Sequence, residues 1–336
     1  MSRLIHTGQV VVDMTLRLPR LPEPGGVIWA QSQGMAAGGA FNVLAAARRD
    51  GADAVYAGAI GQGPLAEMAR VALAAEGIVR TGPVISDRDT GFSLALVDDA
   101  AERTFVSSAG AETQVGPSGE VAIGARPGDV VYVGGYSLAH PAKAAALRRA
   151  VAALPPGVRL LVDPSPLVGE LPAKVWEWLV GRADIWSMNL REAAALARVL
   201  AGAPSGGAAD GRADAVHLAQ ALAETLGGTV VVRRGAAGAV VAAQFGPNAA
   251  PPLALPAFPV KAVDTNGAGD THCGVLVAAL LRGASLIEAA HRAGVAAALS
   301  TTRPGPATAP TAAETDQALA QEAQTRSLHA TAADVL

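Results

Sequence analysis

The amino-acid sequence predicts an α/β protein built on a doubly wound, mostly parallel sheet. Short apolar runs bounded by Gly, Pro or Asp alternate with Ala-rich helical stretches along most of the 336 residues. Runs of this length suit strands that are buried on both faces of a parallel sheet. Repeated alternation of strand and helix places helices on both sides of that sheet. Two segments break the alternation and predict a second, smaller sheet.

The elements of the main sheet follow in chain order. Leu4–Val12 predicts the first strand, and Phe41–Arg49 predicts a helix that ends before Gly51. Further strands are predicted at Ala54–Ala57, Val130–Val133, Arg159–Val162, Ile185–Met188 and Val230–Val232, and further helices at Pro64–Glu76 and Thr311–Leu336. Pro204–Asp214 is small and polar, which indicates a loop. The sequence contains no internal repeat, and we predict one domain over residues 1–336.

Two irregular segments predict the smaller sheet. Thr15–Met35 is interrupted by three prolines and three glycines, and Thr90–Ser108 alternates polar with apolar residues. Alternation with a period of two is typical of strands with one exposed face. We therefore predict antiparallel hairpin strands at about residues 13–36 and 88–110, forming a small sheet that projects from the main domain.

Composition argues against several function classes. The formal net charge is −3 and Lys and Arg form no basic stripe, so we expect no nucleic-acid partner. The single cysteine, Cys273, can form no internal disulfide, which fits a reducing cytosol. The apolar run Val275–Leu281 is too short to span a bilayer, and the N-terminus lacks the apolar core of a signal peptide. We expect a cytoplasmic protein with no membrane partner.

The most informative motif is Asp264–Asp270, which reads Asp-Thr-Asn-Gly-Ala-Gly-Asp. A strand-like run, Phe258–Val263, precedes it, and a helical run, Thr271–Leu281, follows it. The motif is therefore a glycine-rich turn that leads into a helix N-terminus. Glycines leave backbone amides unobstructed, and the helix dipole adds roughly half a positive charge there. Such a turn is suited to holding phosphate oxygens.

Asp270 stands at the entry to the same helix. A carboxylate beside an anion site makes chemical sense as a general base that removes a proton from an attacking hydroxyl, an effect worth roughly 10²–10⁴-fold in rate. The alternative is that Asp270 only caps the helix and the glycines only make a tight turn. For a single glycine-rich turn this plainer interpretation would be favoured.

The whole motif, with Gly274 four residues after Asp270, resembles the C-terminal signature of the ribokinase-like, or PfkB, family of carbohydrate kinases. The N-terminal signature of that family is also recognisable in Gly38–Asn42, followed by Gly51 and Gly61. The resemblance covers nearly the whole chain. It implies a ribokinase-like fold and an ATP-dependent kinase that phosphorylates a hydroxyl of a small sugar or sugar-like molecule.

The resemblance also implies roles for individual residues. Asp270 would be the catalytic base, and an anion hole would be formed by the amides of Gly267, Ala268, Gly269 and Asp270 itself. The residues expected to bind the hydroxyls of the substrate are Asp13, Gly38, Gly39 and Asn42. Taken alone, the paired glycines suit an ordinary loop before a helix, and Asp13 suits a turn.

Nucleotide and metal sites follow from the same resemblance. The residues expected on the nucleotide side are Asn189, Arg233, Gly235 and Gly238. Arg233 replaces the usual Thr, and its planar guanidinium would contact ATP phosphates. Glu192 would hold Mg²⁺ through water, and Asp264 would lie at a site for a monovalent cation such as K⁺. The plainer alternatives are an Asn189 helix cap with an acidic first turn, and a solvated surface arginine.

Some residues depart from the family pattern. The segment Gly61–Pro64 lacks a frequent aspartate, which predicts an altered substrate pocket. The small sheet would act as a lid over the sugar, and such lids pair between subunits, which implies a homodimer.

A nucleoside kinase is the second candidate, with Trp29 and Phe92 of the lid segments as stacking residues. A catalytically silent regulator is the third, and the intact Asp270 motif argues against it.

Overall fold

A computed structural model describes residues 1–100, 102–203, 214–243 and 251–333 of the chain. The strands are, in chain order, β1 (Arg3–His6), β2 (Val10–Arg17), β3 (Ser32–Gly39), β4 (Asp53–Tyr56), β5 (Val79–Arg80), β6 (Phe92–Val97), β7 (Arg103–Ser108), β8 (Val130–Gly134), β9 (Arg159–Asp163), β10 (Ile185–Asn189), β11 (Thr229–Arg233), β12 (Ala239–Ala242) and β13 (Leu253–Leu255). The helices are α1 (Ala40–Arg49), α2 (Pro64–Ala75), α3 (Gly135–Leu138), α4 (Pro141–Ala152), α5 (Lys174–Glu177), α6 (Leu190–Leu200), α7 (Ala215–Leu226), α8 (Ala268–Leu281), α9 (Leu286–Ser300) and α10 (Ala312–Ala333). The loop expected at Pro204–Asp214 lies, except for its last residue, outside the described residues.

The main sheet of the described chain has nine strands in the order β13-β12-β11-β10-β9-β8-β1-β4-β5. All neighbouring strands run parallel except the pairs β11–β12 and β12–β13. Neighbouring strand residues point to opposite faces, so Leu4 packs with α1, α8 and α9 on one side and Ile5 packs with α4, α6 and α7 on the other. This arrangement confirms the predicted doubly wound sheet. No helix among the described residues is long and apolar enough to cross a membrane.

Two predicted strands differ in the structure. Leu4–Val12 is not one strand but two, β1 and β2, which belong to different sheets. The chain bends at Gly8, whose amide bonds to the ring of His6 and where an added Cβ would lie 2.4 Å from that ring. Phe258–Val263 forms no strand. Pro259 offers no amide for a ladder, and the amide of Val263 bonds instead to the carbonyl of Thr301.

The smaller sheet has the order β3-β2-β6-β7. Its pairs β2–β3 and β6–β7 are antiparallel, as expected for two hairpins. The central pair β2–β6 is parallel, so the sheet as a whole is mixed, a point that the strand pattern of each segment alone did not reveal. Register places Asp13 of β2 opposite Ala36 of β3 and opposite Ser93 of β6.

The fold gathers polar residues at the carboxyl ends of four neighbouring strands of the main sheet. Gly134 of β8 pairs with Asp163 of β9, and Asn189 of β10 pairs with Arg233 of β11. Helix α8 begins over this edge and packs closely on α1, because a Cβ on Gly274 would lie 2.3 Å from a backbone oxygen of α1. The edge where parallel strands end is the usual place of a ligand site in an open α/β sheet.

Candidate active site

The carboxylate of Asp270 lies in the first turn of α8. The N-cap of this helix is Gly267, in the left-handed region with φ 72°, and no side chain caps the helix. Asp270 therefore is not the cap, and that alternative is wrong. Its Oδ2 instead accepts a hydrogen bond of 2.9 Å from Nδ2 of Asn42 on α1. The close packing of α1 on α8 thus brings the two sequence motifs together.

The surroundings of Asp270 hold its carboxyl group near the point of ionisation at neutral pH. Burial raises its pKa to about 7, against the hydrogen bond from Asn42, which lowers it. The nearby carboxylates of Asp163 and Asp13 raise the pKa further, and Arg233 opposes them. A carboxylate with a raised pKa is a stronger base than a solvated one, which suits it to accept a proton from a hydroxyl.

The carboxylate of Asp13 and the glycine pair Gly38–Gly39 lie together on the neighbouring strands β2 and β3. Gly38 lies beside Asp13 across the β2–β3 pair, and a Cβ there would stand 2.0 Å from Oδ2 of Asp13. Gly39 has φ 61°, and a Cβ on it would lie 2.4 Å from the carbonyl oxygen of Gln9. Burial raises the pKa of Asp13 to about 6. The glycines therefore make room for the Asp13 carboxylate and for the turn into α1.

The side-chain oxygen of Asn42, Oδ1, is a buried hydrogen-bond acceptor without a partner in the described chain. An unpaired buried acceptor costs about 1–3 kcal/mol, so its place beside Asp270 points to a ligand donor. The amides of Gly269 and Asp270 are also without partners among the described atoms, since only Ala268 and Thr271 bond back into the turn. Donors for an anion and an acceptor for a hydroxyl meet at this helix end.

Arg233 lies beneath the first turn of α8. One nitrogen, Nη1, donates to the carbonyl of Gly269 at 2.8 Å and contacts Sγ of Cys273 at 3.3 Å. The other, Nη2, contacts Asp163 at 3.1 Å and Glu192 at 3.5 Å. Only 13% of the Arg233 side chain is exposed, so the alternative of a solvated surface arginine is wrong. The guanidinium joins the ends of β9 and β11 and the start of α6 to the glycine-rich turn Asp264–Asp270, which we call the anion turn.

Asp163 and its neighbour Ser165 were missed by the sequence interpretation. Oδ1 of Asp163 accepts the amide of Ser165, and Ser165 has φ 61°, the one positive value of a non-glycine residue in the described chain. The buried Ser165 hydroxyl has no partner there. Backbone strain of this kind concentrates at functional sites. The signal that could have found them is Asp-Pro-Ser directly after a buried parallel strand.

Tyr136 was also missed. It lies in α3, just after the end of β8, and half of its side chain is exposed. The residue before it, Gly135, packs so tightly that a Cβ would lie 1.8 Å from the carbonyl oxygen of Pro164. Burial and the carboxylates of Asp270 and Glu192 raise the pKa of Tyr136, so the phenol stays protonated beside the site.

Asn189 and Glu192 form a capping box at the start of α6. Oδ1 of Asn189 accepts the amide of Glu192 at 2.9 Å, and Oε2 of Glu192 accepts the amide of Asn189 at 2.7 Å. The plainer interpretation as a helix cap is therefore correct. Burial also raises the pKa of Glu192, and Oε1 takes no part in the box. No group of three or more His, Cys, Asp or Glu side chains in the described residues could hold a metal ion by itself.

Asp264 stands at the outer end of the anion turn. Its Oδ1 accepts the amide of Asn266 at 2.9 Å and Nη2 of Arg103 at 2.7 Å. Its Oδ2 accepts the amide of Gly305 at 3.1 Å. These bonds keep the pKa of Asp264 below its ordinary value against the effect of burial. Arg103 could not be found from a sequence motif, because its partner Asp264 lies 161 positions away in the chain.

The remaining glycines of the expected nucleotide side have different surroundings. Gly235 begins a short turn after β11 and has no neighbour within 4 Å of an added Cβ. Gly238 has φ 86°, and a Cβ there would lie 2.0 Å from the carbonyl oxygen of Leu255. Gly238 is therefore needed for the packing of β12 against β13, and Gly235 lies free at the surface of the turn.

The segment Gly61–Pro64, which lacks the frequent aspartate, is held by an aspartate from another part of the chain, Asp89. Both carboxylate oxygens of Asp89 accept amides of the first turn of α2, those of Leu65 and Ala66, at 3.0 and 2.8 Å. Gly63 leaves room for this carboxylate, since an added Cβ would lie 2.4 Å from it. The carboxylate that caps α2 thus comes from the segment before β6.

Comparison with known proteins shows the family. Residues 1–313 match the pfkB family of carbohydrate kinases. The chain is 31% identical over 283 residues to an uncharacterized sugar kinase of Escherichia coli (strain K12), covering 84% of this chain and 83% of the relative. It is 30% identical over 314 residues to an ATP-dependent ribose-1-phosphate kinase of Halopiger xanaduensis, covering 93% of this chain and 96% of the relative.

Solved structures share the fold. A ribokinase from Cryptococcus neoformans in complex with ADP superposes with a TM-score of 0.75 at 23% identity, covering 94% of this chain and 99% of that one. A nucleoside kinase from Methanocaldococcus jannaschii gives a TM-score of 0.75 at 15% identity, covering 96% and 99%. The match to the family over residues 1–313 shows that the chain belongs to the pfkB family of carbohydrate kinases.

Proposed function

We propose that the protein transfers the γ-phosphoryl group of ATP to a hydroxyl of a small sugar or sugar-like molecule, with Asp270 as general base. The observation that carries the proposal is the position of Asp270 in the first turn of α8, held by Asn42 beside helix amides that have no partner in the described chain. A base and an anion site in one helix turn are what phosphoryl transfer to a hydroxyl requires. The Halopiger relative is named as ATP-dependent, which supports ATP as the donor.

The acceptor would lie between Asp13, Asn42 and Asp270. Its reacting hydroxyl donates its proton to Asp270, and its oxygen forms a bond to the γ-phosphorus. The bond from that phosphorus to the β–γ bridging oxygen breaks, and ADP leaves. The unpaired Oδ1 of Asn42 accepts a second hydroxyl, and Asp13 accepts a third beside Gly38 and Gly39. Fixed acceptors of this kind orient the sugar for in-line attack.

The transferring group would be held by the amides of Gly267, Ala268, Gly269 and Asp270, of which that of Ala268 already bonds to the carbonyl of Thr265 at 3.3 Å. The unpartnered amides of Gly269 and Asp270 point out of the helix N-terminus, where the dipole favours negative charge. Gly267 keeps this turn tight, because a Cβ on it would lie 1.9 Å from the carbonyl oxygen of Pro306. Preorganised donors stabilise charge that develops in the transition state without further reorganisation.

The nucleotide would lie over the ends of β10 and β11, at Asn189, Arg233, Gly235 and Gly238. Arg233 already donates to Gly269, so its charge would act on the phosphates from below the anion turn and would keep that turn in place. Glu192 fits an indirect contact with Mg²⁺, since Oε1 is outside the capping box and can accept from water bound to the ion. Magnesium supplies positive charge to the phosphates of the bound nucleotide.

A monovalent cation such as K⁺ at Asp264 has weaker support. Arg103 already supplies positive charge 2.7 Å from this carboxylate, and two backbone amides bond to it as well. A cation there would be repelled by the guanidinium unless the ion pair opened. We therefore favour the ion pair with Arg103 as the resting partner of Asp264.

The smaller sheet would act as a lid. Its Asp13 face covers the acceptor side of the site, and closure would keep water away from the γ-phosphoryl group. Strand β7 is the edge of this sheet and is exposed along its length, with Phe105 and Val106 more than half exposed. Pairing of two such edges in a homodimer would cover these side chains. The free, buried Cys273 fits the cytoplasm as the compartment.

A nucleoside acceptor is the second candidate, and one side chain favours it. Phe105 lines the cleft between the small sheet and the anion turn and could stack on a base. The aromatic residues chosen from the sequence are less suitable. Trp29 is 88% exposed, and Phe92 pairs with Val12 and so points away from the face of Asp13.

Release of ADP in a coupled assay, with a panel of sugars, sugar phosphates and nucleosides, tests the proposal. We expect turnover with at least one sugar-like acceptor in the presence of Mg²⁺, and turnover lowered about a hundredfold or more in Asp270→Asn. A preference for nucleosides would favour the second candidate. Binding of ATP and a sugar, with no ADP released for any acceptor, would support a silent regulator and overturn the assignment of Asp270.

A further inference from the structure

One face of the small sheet carries a gradient of charge. Side chains two apart on a strand share a face, so Asp13, Thr15 and Arg17 lie together on β2. Register places Arg17 beside Val97 of β6, and Val97 beside Arg103 of β7. The face therefore begins with a carboxylate and ends, four residues along the strand, with two guanidinium groups.

Both ends of the anion turn lie near this face of the small sheet: Asp264 near the arginine end and Asp270 near Asp13. Arg103 touches Asp264 at the start of the turn. Asp13 lies close enough to Asp270, at the end of the turn, to raise its pKa. Sheet and turn thus enclose a slot with the proposed acceptor site at one end. The other end is a cleft lined by Thr15, Arg17, Ala95, Val97, Arg103, Phe105, Asp264 and Asn266.

Arg17 and Arg103, at the guanidinium end of the slot, have N–H groups that bond to no described residue. The side chain of Arg17 makes no hydrogen bond or ion pair with any described residue, and it is exposed to the cleft. Arg103 uses a single nitrogen on Asp264, out of five N–H groups. Two guanidinium groups face one carboxylate here, so the cleft keeps a positive charge. A planar fork of donors matches phosphate and carboxylate groups.

The length of the slot fits a sugar with one charged end. Four residues of strand separate the Cα atoms of Asp13 and Arg17 by about 13 Å. An arginine side chain that bends back along the face shortens this gap to about the length of a pentose or hexose with a terminal anionic group. The nucleotide, in contrast, would lie over the ends of β10 and β11, on the other side of the anion turn.

We propose that Arg17 and Arg103 form a subsite for an anionic group of the acceptor, so that the substrate is a sugar-like molecule bearing a phosphate or carboxylate away from the reacting hydroxyl. This inference rests on the proposed function and names its substrate class. The γ-phosphoryl group of ATP is the other anion that the two arginines could meet. The experiment must therefore separate effects on the acceptor from effects on ATP.

Steady-state kinetics of the full-length protein compare neutral pentoses and hexoses with their phosphates and with sugar acids. We expect the anionic acceptors to have the higher kcat/KM. Arg17→Gln and Arg103→Gln should each raise the KM of the anionic acceptor about tenfold or more and leave the KM of ATP within about twofold. Arg17→Lys keeps the charge and should retain most of the affinity. Arg20→Gln is the matched control, since Arg20 is exposed and outside the cleft.

Three results would overturn the subsite: a neutral sugar as the best acceptor, unchanged acceptor KM in both variants, or a rise in the KM of ATP alone. Calorimetric titration with ribose 5-phosphate and with ribose gives a readout without turnover. Tighter binding of the phosphate form, lost in Arg17→Gln, supports the subsite even if no ADP is released. Equal binding of both sugars counts against it, whatever the outcome for the proposed function.

Discussion

The amide of Asn42 donates a hydrogen bond of 2.9 Å to the carboxylate of Asp270 and leaves its own carbonyl oxygen buried and unpaired within the described chain. The two residues are 228 positions apart, on helices α1 and α8. The bond fixes one oxygen of Asp270 and leaves its other oxygen, like the Asn42 carbonyl, without a hydrogen-bond partner within the described chain. The proposed base and a free hydrogen-bond acceptor therefore belong to side chains in direct contact.

The first prediction concerns Asp270→Asn. The amide keeps the shape of the side chain but cannot accept the proton of the reacting hydroxyl, so kcat should fall by about two to four orders of magnitude. The affinity for ATP should stay within about twofold, because the helix amides are unchanged. Steady-state kinetics and a nucleotide-binding titration check this result. Asp87→Asn, at an exposed carboxylate away from the site, is the control; near-wild-type turnover in Asp270→Asn would remove the central assignment.

The second prediction is a pH profile. Asp270 must be ionised to act as a base, and its pKa is raised to about 7, so kcat/KM for the acceptor should fall as the pH drops through about 7. The hydrogen bond from Asn42 lowers this pKa. Asn42→Ala removes that effect and should move the acidic limb to higher pH. A limb that stays in place, or moves to lower pH, would show that another group controls it.

The third prediction concerns stability. Asp270 has an ordinary pKa of 3.8 and a folded-state pKa of about 7, so between these values the native state binds more protons than the unfolded state. Stability is therefore lost as the pH rises through this window. Asp270→Asn cannot ionise and should melt above the wild type at pH 8, with the difference shrinking towards pH 4. Calorimetric melting curves at both values test the sign; a variant less stable than wild type at pH 8 would contradict burial as the cause.

The sequence motifs pointed to two residues that the fold brings into contact, Asn42 and Asp270, and missed other residues of the candidate site. Asp270 and Asn42 were recognisable because each stands in a short motif at a helix start. Arg103 was not, since its importance depends on a contact that only the folded chain makes. Ser165 was overlooked, although Asp-Pro-Ser directly after a buried strand is a signal in the sequence. The strand expected at 258–263 failed for a related reason, because local apolar character could not reveal that its backbone bonds to the turn after α9.

The fourth prediction tests the glycine beside Asp13. A Cβ on Gly38 would lie 2.0 Å from the Asp13 carboxylate, so Gly38→Ala must displace that side chain. We expect the KM of the acceptor to rise about tenfold or more, with little change for ATP. Gly34→Ala on the same strand is the matched control, because nothing lies within 4 Å of its added Cβ. Equal kinetics for the two variants would show that Asp13 has no fixed part in acceptor binding.

The last prediction concerns Arg233→Lys. Lysine keeps the charge but lacks the planar fork that reaches Gly269, Asp163 and Glu192 together. Removing one partner of a buried ion pair outright costs about 3–5 kcal/mol, and the lysine variant should lose part of that stabilisation, because one ammonium group cannot contact both carboxylates and Gly269 as the guanidinium does. We expect a lower Tm and a higher KM for ATP, because the anion turn loses the support of Gly269. Arg234→Lys, at the partly buried neighbouring position whose guanidinium bonds to the carbonyl of Ala237 and to no carboxylate of the described chain, should change neither. A fall in Tm with the KM of ATP unchanged would limit Arg233 to holding the fold, and no change in either quantity would contradict its place under the turn.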